Sequence, residues 1–176
     1  MAKTSSFFAG NGRPRVGLLG GTFNPPHVGH LRLAEEVVYL HGLDQVMFIP
    51  CAIPPHKRST DIASPEDRLH MTHLACADNS SFRVSDIEIV AKGPSYTVKT
   101  LSFFAEQDES ETYFILGTDS LQEISTWKDY PRLFSLSHFI AVVRPGIDFN
   151  QAWNEVPAEL RNQFESRGEC LLHSSS

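Results

Sequence analysis

Apolar residues follow two alternating rhythms along the chain. Short runs, Val16-Gly17-Leu18-Leu19, Val46-Met47-Phe48-Ile49, Tyr113-Phe114-Ile115-Leu116 and Phe139-Ile140-Ala141-Val142-Val143, have the length of buried strands. Between them, apolar residues recur every three or four positions. Val28 to Leu40 carries Leu31, Ala34, Val37, Val38 and Leu40 on one helical stripe, ended by His41-Gly42, where glycine supplies a left-handed cap. Ser64-Pro65-Glu66-Asp67 is a helix start: Ser at the N-cap, Pro at the first helical position and an acid near the positive helix end. That helix is expected to reach about Ala77. Tyr96 or Thr97 to Glu106 turns Val98, Leu101, Phe104 and Ala105 inward. Leu121 to Trp127 and Pro131 to Leu136 read as short helices, and Phe82-Arg83-Val84 and Ile87-Glu88-Ile89 as strand pieces. Past Ile147 the pattern weakens, and Trp153 to Phe164 is read as helical. Strands alternating with helices require crossovers, hence an α/β fold on a parallel sheet.

Composition narrows the class. With 176 residues the chain has room for one full core, and 41% hydrophobic with 20% charged residues is ordinary for a globular domain. The formal net charge of −6 argues against a general polyanion binder such as a nucleic-acid protein. An anionic substrate must therefore be met by local donors. Cys51, Cys76 and Cys170 are widely spaced and form no C-x-x-C pair, so they read as inert thiols in a reducing compartment. A zinc site at Cys51 and His56 would need two more ligands, which the local sequence does not offer. No run reaches the roughly 18 apolar residues of a membrane helix. Residues 1–14 are expected to be a flexible extension, and 15–176 a single domain in the cytoplasm.

The densest chemistry sits between the first strand and the first helix, in Gly20-Gly21-Thr22-Phe23-Asn24-Pro25-Pro26-His27-Val28-Gly29-His30. In α/β proteins such turns bind phosphates, because backbone N–H groups at a helix start favour anions. The P-loop pattern fails for want of a lysine after the glycines, and G-x-G-x-x-G fails on spacing. Gly20-Gly21 can still bring a phosphate against bare backbone, or can simply make a tight turn. His27 and His30, three apart across a helix start, can face one side and each donate to phosphate oxygens. The duller readings are surface histidines or a metal pair, the latter lacking an evident third ligand.

This block resembles the H-x-G-H signature of the nucleotidyltransferase superfamily, and most closely the bacterial nicotinate-nucleotide adenylyltransferases. The resemblance extends from about Arg15 to Pro145 through Ile53-Pro54-Pro55-His56-Lys57, Gly93-Pro94-Ser95-Tyr96-Thr97-Val98, Phe114-Ile115-Leu116-Gly117-Thr118-Asp119-Ser120, Trp127 and Arg144-Pro145-Gly146, in that family's order. It implies a Rossmann-like doubly wound parallel sheet. It implies transfer of the adenylyl group of ATP to nicotinate mononucleotide, giving nicotinate adenine dinucleotide and pyrophosphate in NAD biosynthesis.

Roles follow from the resemblance. Gly20, Gly21, Thr22 and Phe23 would line the ATP side, with His27 and His30 as the catalytic grip on its phosphates. Gly117 and Asp119 would meet the ribose, and Arg144 would support the nucleotide. On the nicotinate mononucleotide side would stand Asn24, His56, Lys57, Tyr96, Thr97, Trp127 and Lys128. Thr97 and the backbone after Trp127 would receive the carboxylate, and the Trp127 ring would stack on the pyridine. Mg²⁺ is expected to arrive with ATP, and no protein metal site is expected. Partners are the two nucleotides, with neither nucleic acid nor membrane; a homo-oligomer is left open.

Read alone, Lys57-Arg58 fits a solvated loop pair, Trp127 fits a core position, and Asp86, Glu88, Glu109 and Glu111 fit solvent-facing charge. The sequence departs from the family twice. Asn24 stands where the family usually has Asp. The later I-S-S-T-x-I-R segment is met only by Ser174-Ser175-Ser176, so the domain is read as truncated, with weaker ATP binding and a partly open core edge expected. Against the favoured activity stand pantetheine-phosphate adenylyltransferase, whose family usually has Thr at the place of His27, a cytidylyltransferase, and a non-catalytic nucleotide-binding remnant.

Overall fold

The computed structural model describes residues 12–53, 61–143, 148–161, 164–167 and 170–173. Five strands lie parallel in the order β3-β2-β1-β4-β5: β1 (Arg15–Gly21), β2 (Gln45–Pro50), β3 (Phe82–Val84), β4 (Glu111–Gly117) and β5 (His138–Val142). The order reverses direction at β1, so the crevice between β1 and β4 is the topological switch point where ligands of open α/β sheets bind.

Helices fill the crossovers. They are α1 (Val28–His41), α2 (Pro65–Cys76), α3 (Ile87–Ala91), α4 (Thr97–Gln107), α5 (Thr118–Gln122) and α6 (Tyr130–Leu136), with a 3₁₀ turn at Ile124–Thr126. Alternate strand residues feed two cores, as the pleat requires. Leu18, Phe114 and Leu116 pack on one face with Leu101 of α4, Leu121 of α5 and Leu133 of α6. Leu19, Tyr113 and Ile115 pack on the other with Ala34 and Val37 of α1. Gly17 lets the core close over β1: a Cβ there would stand 2.8 Å from Ile115 Cδ1 and 2.9 Å from Val46 Cγ2, and those side chains would have to shift.

The helix signals read from the sequence hold at α1 and α2. Gly42 caps α1 at φ 60°, and Ser64 Oγ accepts the Asp67 N–H at 3.1 Å. Ile87 to Ile89 is different: it opens a helix instead of a strand. Pairing of β3 with β2 ends at Val84 opposite Phe48, with a last bond from the Ser85 N–H to the Phe48 carbonyl. Beyond it β2 reaches Pro50, which has no N–H to continue the ladder, and the backbone satisfies itself, as in the Val90 N–H to Asp86 carbonyl bond.

The C-terminal region also differs from expectation. The helix expected over 153–164 is two short ones, α7 (Phe149–Glu155) and α8 (Ala158–Arg161). An antiparallel hairpin follows, β6 (Glu165–Arg167) and β7 (Cys170–His173), with β7 paired along β5. The edge that β5 would otherwise present is thus covered by β7. The three-residue and four-residue strands are too short to show a period.

Candidate active site

The parallel strands deliver their C-terminal ends to one edge: Gly20-Gly21 of β1, Pro50 of β2 and Gly117 of β4. The β1–α1 turn is built around Phe23. Its ring is 2% exposed and its backbone takes φ 47°, a left-handed conformation held by burial of the ring. Gly21 is bare because a Cβ would stand 2.9 Å from that ring. The same ring receives His30 edge-on at 5.1 Å. Gly20 is exposed, and a Cβ there would meet nothing nearer than Phe114 Cε2 at 3.9 Å, so bare backbone faces the crevice.

His27 is the extended N-cap of α1, and the two imidazoles lie 3.8 Å apart, 30° from parallel. His30 Nδ1 accepts the His27 backbone N–H at 3.2 Å, which puts the proton of a neutral His30 on Nε2. Gly29 makes room for the pair, since a Cβ there would lie 3.0 Å from His27 Nδ1. The H-x-G-H spacing therefore yields two adjacent donors at a helix N-terminus, where the macrodipole favours anions.

Asn24 does something else. Its Nδ2 donates to the Asp61 carbonyl at 3.1 Å and its Oδ1 accepts the Ala63 N–H at 3.0 Å. Both polar ends tie the turn to the segment before α2. An Asp at this position could accept but not donate, which gives a physical reason for the amide.

Across the crevice, the residues expected to meet nicotinate mononucleotide gather at the start of α4 and after the 3₁₀ turn. Tyr96 precedes Thr97, the first residue of α4, and two ammonium groups approach its ring: Lys128 Nζ at 4.8 Å and Lys99 Nζ at 5.7 Å from the centroid. Trp127 is half-buried and meets Phe114 edge-on at 6.2 Å. Phe114 thus lies between the two sides, edge-on to Trp127 and nearest to the bare Gly20 position. Gly117 is the extended N-cap of α5, and Asp119 is exposed in its first turn. His56, Lys57 and Arg144 lie outside the described residues.

Three groups of consequence escaped the sequence reading. Glu88 is not solvent-facing: it accepts the Thr100 hydroxyl at 2.6 Å and a side-chain bond from Ser95, and burial raises its pKa. Glu111 likewise bonds Tyr113 and His138. Arg68 is 1% exposed. Its Nη1 donates to the Thr22 carbonyl at 2.7 Å, its Nη2 to the Ala52 carbonyl at 3.0 Å and its Nε to the Ala63 carbonyl at 3.0 Å. Cys51 Sγ lies 3.8 Å from the same guanidinium, and its thiol pKa is raised by burial. An Arg in the first turn of a helix looks like surface charge. Only the packing of two distant segments, at Thr22 and Ala52, around it reveals the role.

The family model of cytidylyltransferase-like proteins matches residues 18–176. A protein of Geobacter sp. (strain M21) named "Probable nicotinate-nucleotide adenylyltransferase" is 48% identical over 151 residues, covering 85% of this chain and 70% of that one. A protein of Desulfatibacillum aliphaticivorans with the same name is 51% identical over 131 residues, covering 74% of this chain and 60% of that one. The chain thus spans between 60% and 70% of the length of these relatives. Among solved structures, Plasmodium falciparum nicotinic acid mononucleotide adenylyltransferase complexed with NaAD aligns with a TM-score of 0.68. That match covers 82% of this chain and 72% of that one at 20% identity, and so speaks to the fold. The chain belongs to the cytidylyltransferase-like family and, within it, to the nicotinate-nucleotide adenylyltransferases.

Proposed function

We propose that this protein transfers the adenylyl group of ATP to nicotinate mononucleotide, releasing pyrophosphate, in the crevice between β1 and β4. The observation that carries the reading is the stacked His27–His30 pair beside the bare Gly20-Gly21 backbone at the switch point of the sheet. Membership in the nicotinate-nucleotide adenylyltransferases supplies the substrates.

The chemistry asks little of a side-chain base. The attacking phosphate has a second pKa of about 6 and is already largely ionised at neutral pH. What is needed is in-line placement of two anions and neutralisation of the charge that builds. His30, with its proton on Nε2, and His27 at the helix start act as hydrogen-bond donors to the ATP phosphates. Gly117 and Asp119 meet the ribose. Thr97 and the backbone after Trp127 take the carboxylate, and Trp127 stacks on the pyridine. Lys128 and Tyr96 complete that side. His56, Lys57 and Arg144 are assigned by the family pattern to the phosphate and nucleotide contacts. Among the described residues no three His, Cys, Asp or Glu side chains gather to hold a metal. Mg²⁺ is assigned to ATP itself, where it would offset charge on the phosphates. Among the described residues no helix is long and apolar enough to cross a membrane. A cytoplasmic location is proposed from the family's place in NAD biosynthesis.

The test is direct. The protein is incubated with nicotinate mononucleotide, ATP and Mg²⁺, and pyrophosphate and the dinucleotide are measured together. Stoichiometric formation of both is expected; nucleotide binding without either product would overturn the reading.

A further inference from the structure

We infer that Arg68 is a positioning residue: one buried guanidinium sets the separation between the histidine turn and the nicotinate side of the crevice. The inference rests on the adenylyl-transfer reading and extends it to a residue that touches neither substrate.

The three oxygens it binds are all backbone carbonyls, of Thr22, Ala52 and Ala63. Thr22 belongs to the turn that carries His27 and His30. Ala52 and Ala63 flank the Pro-rich segment that carries His56 and Lys57. Among the described residues Arg68 forms no ion pair with an Asp or Glu, so this is a buried cation compensated by peptide dipoles. That arrangement is costly unless every donor is used in good geometry. A planar fork can hold three carbonyls in fixed directions, whereas an ammonium is a rotatable point charge.

The link continues beyond Ala52. Its N–H donates to Ser95 Oγ at 3.0 Å, and the Ser95 N–H donates to the Ile53 carbonyl at 3.2 Å. Ser95 immediately precedes Tyr96 and Thr97. An unbroken series of short bonds therefore runs from Thr22 through Arg68, Ala52 and Ser95 to the start of α4. It joins the two sides that must bring an attacking phosphate within about 3–3.5 Å of the α-phosphorus.

Arg68→Lys keeps the charge and loses the fork; Arg68→Met keeps the bulk and loses both. The positioning role predicts that both variants fold, and that kcat falls about 10²-fold in both. Each KM is expected to move much less. A charge role predicts rescue by Lys, and a packing role predicts wild-type kcat in Met; either result overturns the inference. Ser95→Ala removes the side-chain bond to the Ala52 N–H, together with that to Glu88, and keeps the backbone bond to Ile53; it leaves the core filled and so decides the matter if the Arg68 variants do not fold. A lower kcat is expected there, and an unchanged kcat refutes the link. Hydrogen–deuterium exchange separates this inference from the functional reading. Faster exchange at the Cys51, Ala52 and Ala63 amides is expected in Arg68→Lys, with β4 unchanged. Unaltered exchange at those amides refutes positioning even if the wild type is active. A wild type that makes no dinucleotide, with exchange altered as expected, refutes only the functional reading.

Discussion

At the N-terminal ends of β1, β4 and β5, Arg15, Glu111, Tyr113 and His138 bind one another. Arg15 Nη2 donates to the Tyr113 hydroxyl at 2.8 Å, and that hydroxyl donates to Glu111 Oε1 at 2.8 Å. His138 Nε2 meets the same Glu111 oxygen at 2.9 Å, and its ring stacks on Tyr113 at 4.6 Å. At the C-terminal ends of these strands and of β2, the polar groups serve a different end. Gly20 is bare, His27 is exposed, and the bonds that do form, from Asn24 and Arg68, hold backbone in place. A polar cluster that spends its donors on itself stabilises a sheet edge. One that spends them on the backbone and leaves rings at the surface is arranged for a ligand.

His30→Ala tests that contrast most severely. Removal of a preorganised donor to the phosphates is expected to cut kcat by about 10²-fold or more. Thermal stability should change little, because His30 is only partly buried. Unchanged kcat would mean that the histidine turn is no more functional than the opposite end of the sheet.

Trp127→Ala probes the other side of the crevice. Aromatic stacking on a base is worth about 1–3 kcal/mol, so KM for nicotinate mononucleotide is expected to rise by roughly one order of magnitude. KM for ATP should hold. A selective effect on ATP would place Trp127 elsewhere, and equal use of the amide analogue would remove the inferred carboxylate pocket.

Much of this site was legible because its determinants are local. Gly20-Gly21 and His27-x-Gly29-His30 lie within one turn, so spacing alone places the rings side by side. The α1 and α2 ends were legible for the same reason, since Gly42 and Ser64 act on their own backbone. What could not be read depends on distant partners. Glu88 is half-buried because Thr100 and Ser95 come to it, and Ile87–Ala91 is helical where Pro50 of β2 has no N–H to extend the pairing. Arg68 reads as an ordinary helix charge until Thr22, Ala52 and Ala63 surround it. Residues that act through remote backbone carbonyls leave no motif.

Asn24→Asp sharpens the comparison at smaller scale. It restores the residue that the family usually has and removes the donor to the Asp61 carbonyl. Loss of that bond, with a carboxylate now facing a carbonyl, is expected to cost about 1 kcal/mol, or about 2–4 °C in Tm for a chain of this size. A variant as stable as the wild type would show that the amide is not what ties the turn to α2.

His138→Gln examines the self-satisfied end, where the expected effect is smallest and depends on pH. Burial holds the His138 imidazole below its ordinary value of 6.5, outweighing the Glu111 carboxylate that favours the charged ring. The unfolded chain therefore takes up this proton before the folded one does. The contribution of neutral His138 is complete above the unfolded value and is lost as pH falls through it toward the lower folded value. Glutamine stays neutral throughout and can still donate to Glu111. The wild type should accordingly lose more stability than the variant as pH falls below 6.5, while the two nearly coincide well above it. Adenylyl transfer at neutral pH should be the same in both, since this end of the sheet is opposite the proposed crevice. Parallel stability curves would show that His138 is not the group titrating. A fall in kcat would show that the two ends of the sheet are coupled, and the division of labour between them would not stand.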